Sequence, residues 1–179
     1  MSTKNGKLIW LDLEMTGLNP EKDKIVEIAT IITDANLDVL AEGPDLVINQ
    51  PSEILNNMID WNKEHFATSG LLNEIHDSKI SLTEAEDQTL NFLKKYCPAN
   101  TALLAGNSVH IDREFIRIHM PRLAAFVHYR IIDVTTIKEL AFRWYPQITP
   151  FPKEDAHRAH DDILESIDEL KYYQARIFK

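Results

Sequence analysis

The sequence has a single cysteine, no Gly/Ser-rich stretch, no long apolar run and no excess of positive charge, and each shortage excludes something. Cys97 alone cannot close an intramolecular disulfide, which suits a reducing compartment, and its place late in an amphipathic helix reads as core packing. No apolar run approaches the length of a bilayer span, and the first residues are polar and charged up to the first apolar stretch. The expectation is a soluble, cytoplasmic protein with no membrane partner. Without a linker-like stretch, 179 residues at 44% hydrophobic content fit one domain over 1–179. With 19 Lys and Arg against 28 Asp and Glu, the net charge of −9 argues against a long basic groove, so a nucleic-acid substrate should be short.

What is there begins at Lys7 to Gly17, KLIWLDLEMTG, an apolar run interrupted by Asp12 and Glu14. Successive side chains of a strand alternate faces, so Asp12 and Glu14 point one way while Leu11 and Leu13 point into the opposite layer. Roughly one D-x-E triplet is expected by chance from the acid content, but most chance pairs lie on solvated helix faces. Two carboxylates at the end of an apolar strand repel each other and are costly to desolvate, and a divalent metal between them is the simplest remedy. Gly17 allows a sharp turn just past the acids and leaves Leu18 at the rim of the site.

The rest of the chain reads as an α/β sheet protein. Residues 24–33 and 38–49 are apolar and β-branched, joined by the turn-like Asp34-Ala35-Asn36, with Glu27 interrupting the first and Gly43-Pro44 breaking the second into two pieces at a bulge or kink. From Ser52 the pattern becomes short and helical. Ser81 with Glu84 makes a capping box for a helix to Tyr96, which Pro98 stops. A short strand at 101–105 ends at Gly106-Asn107-Ser108, and Asp112, Phe115, Ile116 and His119 then fall at helical spacing until Pro121. Residues 129–132 form a further short strand, Asp133 caps a helix toward Trp144, and 149–156 is a loop. The last helix starts near 157–161, with Ile163, Ile167 and Leu170 as its core stripe and Glu165, Asp168 and Glu169 in solvent. Three antiparallel strands followed by two that alternate with helices imply a mixed five-stranded sheet flanked by helices.

Four acids stand out by position: Asp12 and Glu14 on the first strand, Asp112 opening a helix, and Asp162 in the last helix. Such a cluster suits two hard cations that take oxygen ligands and clamp the attacking and leaving oxygens of phosphoryl transfer. His157 precedes Asp162 by five residues, about 140° around an ideal helix, so it belongs to the preceding loop, where an imidazole could take a proton from water. Asp161 is as acidic as Asp162, and His160 reads as a helix-surface residue. Trp61 and Tyr129 fit core or dimer packing as readily as substrate contact. Arg130 in a strand-like stretch needs an anion, either a phosphate or a neighbouring acid.

The D-x-E of Asp12 and Glu14, the later Asp112 and the H-x4-D of His157 and Asp162 resemble the three motifs of the DEDDh 3′→5′ exonucleases. The strings DLEMTGL, GNSVHIDREF, HYRIIDVTTIKELAFRW and AHRAHDDILESIDEL are similar to the oligoribonuclease family over essentially the whole chain. That resemblance implies an RNase H-like fold, two Mg²⁺ or Mn²⁺ ions, a homodimer, and hydrolysis of short RNA, dinucleotides above all, to 5′-mononucleotides. By motif position Asp12, Glu14, Asp112 and Asp162 would hold the metals and His157 would be the general base. Leu18 would wedge between bases, Trp61 would stack, Ser108, Arg130 and Thr135 would hold the 5′-phosphate end, and Tyr129 would come from the partner subunit. Where some relatives carry a histidine this chain has Phe66, with His65 beside it, so that contact is not carried over. The rivals are a proofreading-type exonuclease on a DNA 3′ end, disfavoured by the acidic chain, an inert binding module, disfavoured by the complete acid set, and an HD-type metallophosphohydrolase suggested by His160-Asp161, disfavoured by the strands.

Overall fold

A computed structural model describes residues 6–153 and 158–178. Its centre is strand β1 (Leu8–Met15), whose alternation is the one the sequence implies. Ile9, Leu11 and Leu13 pack on one side and Leu8 and Trp10 on the other. Strands β2 (Ile25–Thr33) and β3 (Val39–Val47) continue the sheet antiparallel on one edge of β1. Strands β4 (Leu103–Gly106) and β5 (Ile131–Asp133) continue it parallel on the other, giving the order β3-β2-β1-β4-β5. The fold is the expected mixed five-stranded RNase H-like sheet flanked by helices.

Helices α1 (Ser52–Asn56), α2 (Asp60–Thr68) and α3 (Leu71–Asp77) form a small layer with its own apolar cluster around Phe66, Leu71 and Ile75. Helix α4 (Leu82–Leu93) starts at the Ser81–Glu84 capping box and covers one face of the sheet with α5 (His110–His119) and α6 (Pro121–Phe126). The other face is covered by α7 (Val134–Trp144), capped by the Asp133 carboxylate, and α8 (Ala159–Ile177). No helix among the described residues is long and apolar enough to cross a membrane.

Several details depart from the sequence reading. Strand β3 is one element through Gly43-Pro44, and the bulge or kink expected there is the shift of its register with β2 between Glu42 and Asp45. Glycine is required at 43 because a Cβ there would come within 2.7 Å of both the Phe92 ring and the Thr30 carbonyl oxygen. Helix α4 ends at Leu93, followed by a tight turn in which Tyr96 and Cys97 both donate to the Leu93 carbonyl. Pro121 ends one helix and also begins the next, α6, where its missing N–H and fixed φ suit the first position. Tyr129 and Arg130 precede β5 rather than forming part of it. Glu169, expected in solvent, is 1% exposed. It accepts from Asn107 at 2.9 Å and pairs with Lys153 and Lys138.

Candidate active site

The apolar stripe that β1 turns toward α8 runs Leu8, Trp10, and then, at the same period, Asp12 and Glu14. A bulge between Glu14 and Met15 ends the regular pairing at that point. Helix α8 reaches the same place with its first turn, which carries Asp161 and Asp162. Oxygen atoms of Asp12, Glu14 and Asp162 all lie within 4.8 Å of one another. The α8 direction separates the two candidate aspartates, because Asp161 stands exposed beside His160 while Asp162 turns into the cluster. Asp112, in the first turn of α5, is buried and accepts the Leu13 N–H at 3.0 Å, which ties it to the strand beside Asp12, whose charge it opposes, although its oxygens are not among the three that converge within 4.8 Å.

Burial and mutual repulsion keep these acids from all ionising in the bare protein. Asp12 is held well above its ordinary value by burial first, then by the charges of Asp112, Glu14, Asp162 and Glu27. Glu14 is pushed to about 8, by burial and then by Asp162, Glu27 and Asp112, with Arg158 pulling the other way. Asp112 is pushed to about 7 by burial, against the backbone N–H groups of Asp112 itself and Leu13. An all-oxygen donor set whose members repel one another fits hard divalent cations, which would restore the ionised forms.

A second layer of charge lies behind the cluster. Glu27, the residue opposite Glu14 in the β1–β2 register, is fully buried and raised above its ordinary value, mainly by burial. Its carboxylate receives the Arg158 Nε at 3.0 Å and the Ala159 N–H at 3.1 Å, and so caps α8 from the neighbouring strand. Its sequence signal was the acid interrupting an apolar strand, whereas Arg158 and Asn107 gave none. His157 lies outside the described residues.

The residues the resemblance assigned to substrate lie on separate elements. Leu18 is 72% exposed on the loop after β1. That loop folds around Asp23, whose carboxylate takes the Asn19 N–H at 2.8 Å and the Thr16 hydroxyl at 3.3 Å. Gly17 permits this, since a Cβ would stand 2.5 Å from an Asp23 oxygen. Trp61 is 56% exposed on α2 and stacks on His65 with ring centroids 3.7 Å apart, while Phe66 faces the core. Asn62 ties that helix to β1 through the Met15 carbonyl at 3.2 Å.

At the end of β4, Ser108 adopts a left-handed φ of 48°. Its N–H donates to Asp133 Oδ1 and Thr135 Oγ1, and its hydroxyl lies 3.2 Å from Thr135 Oγ1. Thr135 in turn donates to Asn107 Oδ1 at 3.1 Å. Tyr129 is 68% exposed and its hydroxyl accepts from Arg130 Nε at 3.0 Å. Arg130 is itself exposed, so the need of a buried guanidinium for an anion does not apply to it.

Comparison with known proteins sets this geometry in context. A family model described as exonuclease matches residues 9–170. The chain is 52% identical to the mitochondrial oligoribonuclease of Homo sapiens, over 97% of this chain and 74% of that protein. It is 52% identical to the oligoribonuclease of Coxiella burnetii, over 99% and 97% of the two chains. It is 51% identical to that of Haemophilus influenzae, over 100% and 99%. Among solved structures, E. coli exonuclease I in complex with a 5cy-dT13 oligonucleotide superposes with a TM-score of 0.74 at 16% identity, over 97% of this chain and 41% of that one. The zinc-bound form of an E. coli exonuclease I complex with single-stranded DNA gives 0.71 at 16% identity over the same shares.

Proposed function

The chain belongs to the oligoribonuclease family of exonucleases, and from that premise we propose that it degrades short RNA from the 3′ end to 5′-mononucleotides. The preferred substrates are dinucleotides with a 5′-phosphate. It acts as one exonuclease domain, in the cytoplasm, and as a homodimer. The observation that carries this reading is the meeting of the Asp12, Glu14 and Asp162 oxygens within 4.8 Å at the end of the central strand, with Asp112 against them.

These four acids would hold two divalent cations, Mg²⁺ or Mn²⁺, which when bound would supply Lewis-acid stabilisation of the negative charge that builds up in phosphodiester hydrolysis. His157 takes a proton from the attacking water as its oxygen bonds to phosphorus. The bond from phosphorus to the 3′ oxygen of the preceding nucleotide breaks, that oxygen takes up a proton from solvent while the base returns its own to solvent, and the terminal nucleotide leaves with its 5′-phosphate. Leu18 and Trp61 offer exposed apolar surface for the bases. Ser108 and Thr135 offer hydroxyls, and Arg130 a guanidinium, for a terminal phosphate. Tyr129, exposed beside Arg130, would complete the site of the partner subunit.

A net charge of −9 leaves little to gain from counterion release along a polymer, so affinity must come from these local grips at the two ends of a short substrate. The test is turnover of 5′-labelled RNAs from two to twenty nucleotides with Mg²⁺, Mn²⁺ or chelator. The expected result is fastest cleavage of the 5′-phosphorylated two-mer and none with chelator. Equal efficiency at two and twenty nucleotides, with no effect of the 5′-phosphate, would overturn the short-substrate reading in favour of a proofreading-type enzyme.

A further inference from the structure

Asn107 follows β4 at the end of the sheet where Asp12 lies. Ala105 is opposite Trp10 in the parallel register, and a Cβ on Gly106 would stand 3.0 Å from the Leu11 carbonyl oxygen. The Asn107 amide nitrogen donates to Ser166 Oγ and to Glu169 Oε2, each at 2.9 Å. Both acceptors are buried on α8, about one and two turns beyond Asp162. The amide oxygen receives the Thr135 hydroxyl at 3.1 Å. Thr135 Oγ1 in turn accepts the Ser108 N–H at 3.0 Å and lies 3.2 Å from the Ser108 hydroxyl.

The chemistry of these groups fixes the direction of each bond. Glu169 pairs with Lys153 at 3.2 Å and Lys138 at 3.8 Å, so its carboxylate accepts, and only the NH₂ end of the Asn107 amide can face it. The carbonyl end is thereby turned to Thr135, whose hydroxyl has one proton and spends it there. Ser108 is then the donor of the hydroxyl pair. Its proton is the one that can turn to an anion with the bond from Thr135 to Asn107 intact. Ser108 itself stands in a left-handed turn, φ 48°, held by its N–H to Asp133 and Thr135. A buried polar network that is fully satisfied admits one arrangement, so the place of Asn107 decides the place of both hydroxyls.

From this we propose that Asn107 is a positioning residue for the 5′-phosphate end of the substrate, anchored on buried Glu169 and Ser166, and that it orders the Ser108 and Thr135 hydroxyls so that Ser108 presents a proton to the terminal phosphate. The proposal rests on the reading of Ser108 and Thr135 as grips for that phosphate. Asn107 acts through Thr135 and not by contact with the phosphate. Its effect should therefore appear in the discrimination of a 5′-phosphate from a 5′-hydroxyl, and not in the requirement for metal.

The test is kcat and KM of the full chain with Mg²⁺ on a dinucleotide bearing a 5′-phosphate or a 5′-hydroxyl, for the wild type, Asn107→Leu, Thr135→Val and the double variant. Asn107→Leu should lower the ratio of kcat/KM, phosphate over hydroxyl, by about tenfold, the worth of one hydrogen bond to a charged group, and mainly through KM for the phosphorylated substrate. The half-saturating Mg²⁺ should stay within about twofold of wild type. In the Thr135→Val background the same substitution should change the ratio by no more than about twofold further, because the group it positions is gone. Losses that multiply in the double variant, or an unchanged ratio in Asn107→Leu, would overturn the proposal. An equal loss on both substrates with a raised half-saturating Mg²⁺ would also overturn it, and would place the effect on α8 and Asp162. A wild type with no preference for the 5′-phosphate would instead refute the reading of Ser108 and Thr135 as phosphate grips, so the two failures are told apart. If circular dichroism shows Asn107→Leu unfolded, Ser166→Ala carries the same comparison, since it removes one anchor and leaves Asn107 with Glu169. A ratio lowered by about threefold in that variant supports the proposal, and an unchanged one overturns it.

Discussion

At the scale of single residues, the sharpest contrast in the site is between neighbours. Asp161 and Asp162 have the same chemistry, but α8 points one to solvent and the other at Asp12 and Glu14. Asp162→Asn should therefore reduce dinucleotide hydrolysis by at least about a thousandfold, since a metal-held charge is worth several kcal/mol at the transition state. Asp161→Asn should stay within about twofold of wild type. Steady-state rates at matched Mg²⁺ decide this, and equal losses in the two variants would sink the assignment of Asp162. The pair Asp12 and Glu14 was legible in the sequence because a period of two on an apolar strand leaves no other place for both acids. Glu27 and Glu169 were not legible as anchors. An acid on a strand or helix reads the same whether it faces water or a buried cation, and the partners here are 131 residues away for Glu27 and 62 for Glu169 with Asn107.

At the scale of elements, local chemistry predicted most of what formed. The Ser81–Glu84 box and the Asp133 cap place α4 and α7 where their patterns put them. The misses came where one residue serves two signals, as Pro121 does in ending α5 and starting α6, or where tertiary packing decides. Gly43 belongs to the second kind. Its bulge was legible, but not its cause: β3 passes so close there to β2 and to Phe92 of α4 that no side chain fits. Gly43→Ala should thus cost about 1–3 kcal/mol of stability, the usual range for overpacking, while leaving kcat near wild type because the edge strand is remote from the acids in the sheet order. Urea melts followed by fluorescence would measure the loss. A variant as stable as the parent would show that the β2–β3 register yields to the extra carbon more readily than the contacts indicate.

For the whole molecule, the acid cluster ties folding stability to pH and to cations, with a sign that can be worked out. Glu14 goes from an ordinary value of 4.5 to about 8 on folding and Asp112 from 3.8 to about 7, and Asp12 and Glu27 move the same way. A folded state whose acids have raised pKa values binds more protons than the unfolded chain across that window. The stability these acids contribute is therefore fully present below about pH 4 and declines as pH rises toward 8. Glu84, lowered by the Ser81 backbone N–H and hydroxyl, acts in the opposite sense but only below its ordinary value of 4.5, outside the window of the cluster. Cations reverse the trend, because they bind the ionised acids and so gain affinity as pH rises. The melting temperature in chelator should fall between pH 5 and 8, and excess Mg²⁺ should raise it by an increment that grows over the same range. Asp12→Asn removes one of the repelling charges and one of the oxygen ligands together. It should make the chelated protein more stable at pH 8 than the parent, while the Mg²⁺ increment shrinks. Scanning calorimetry at pH 5, 6.5 and 8 with and without Mg²⁺ separates these terms. A chelated parent as stable at pH 8 as at pH 5, with no pH-dependent gain from Mg²⁺, would mean that the four carboxylates are relieved by something other than a bound cation.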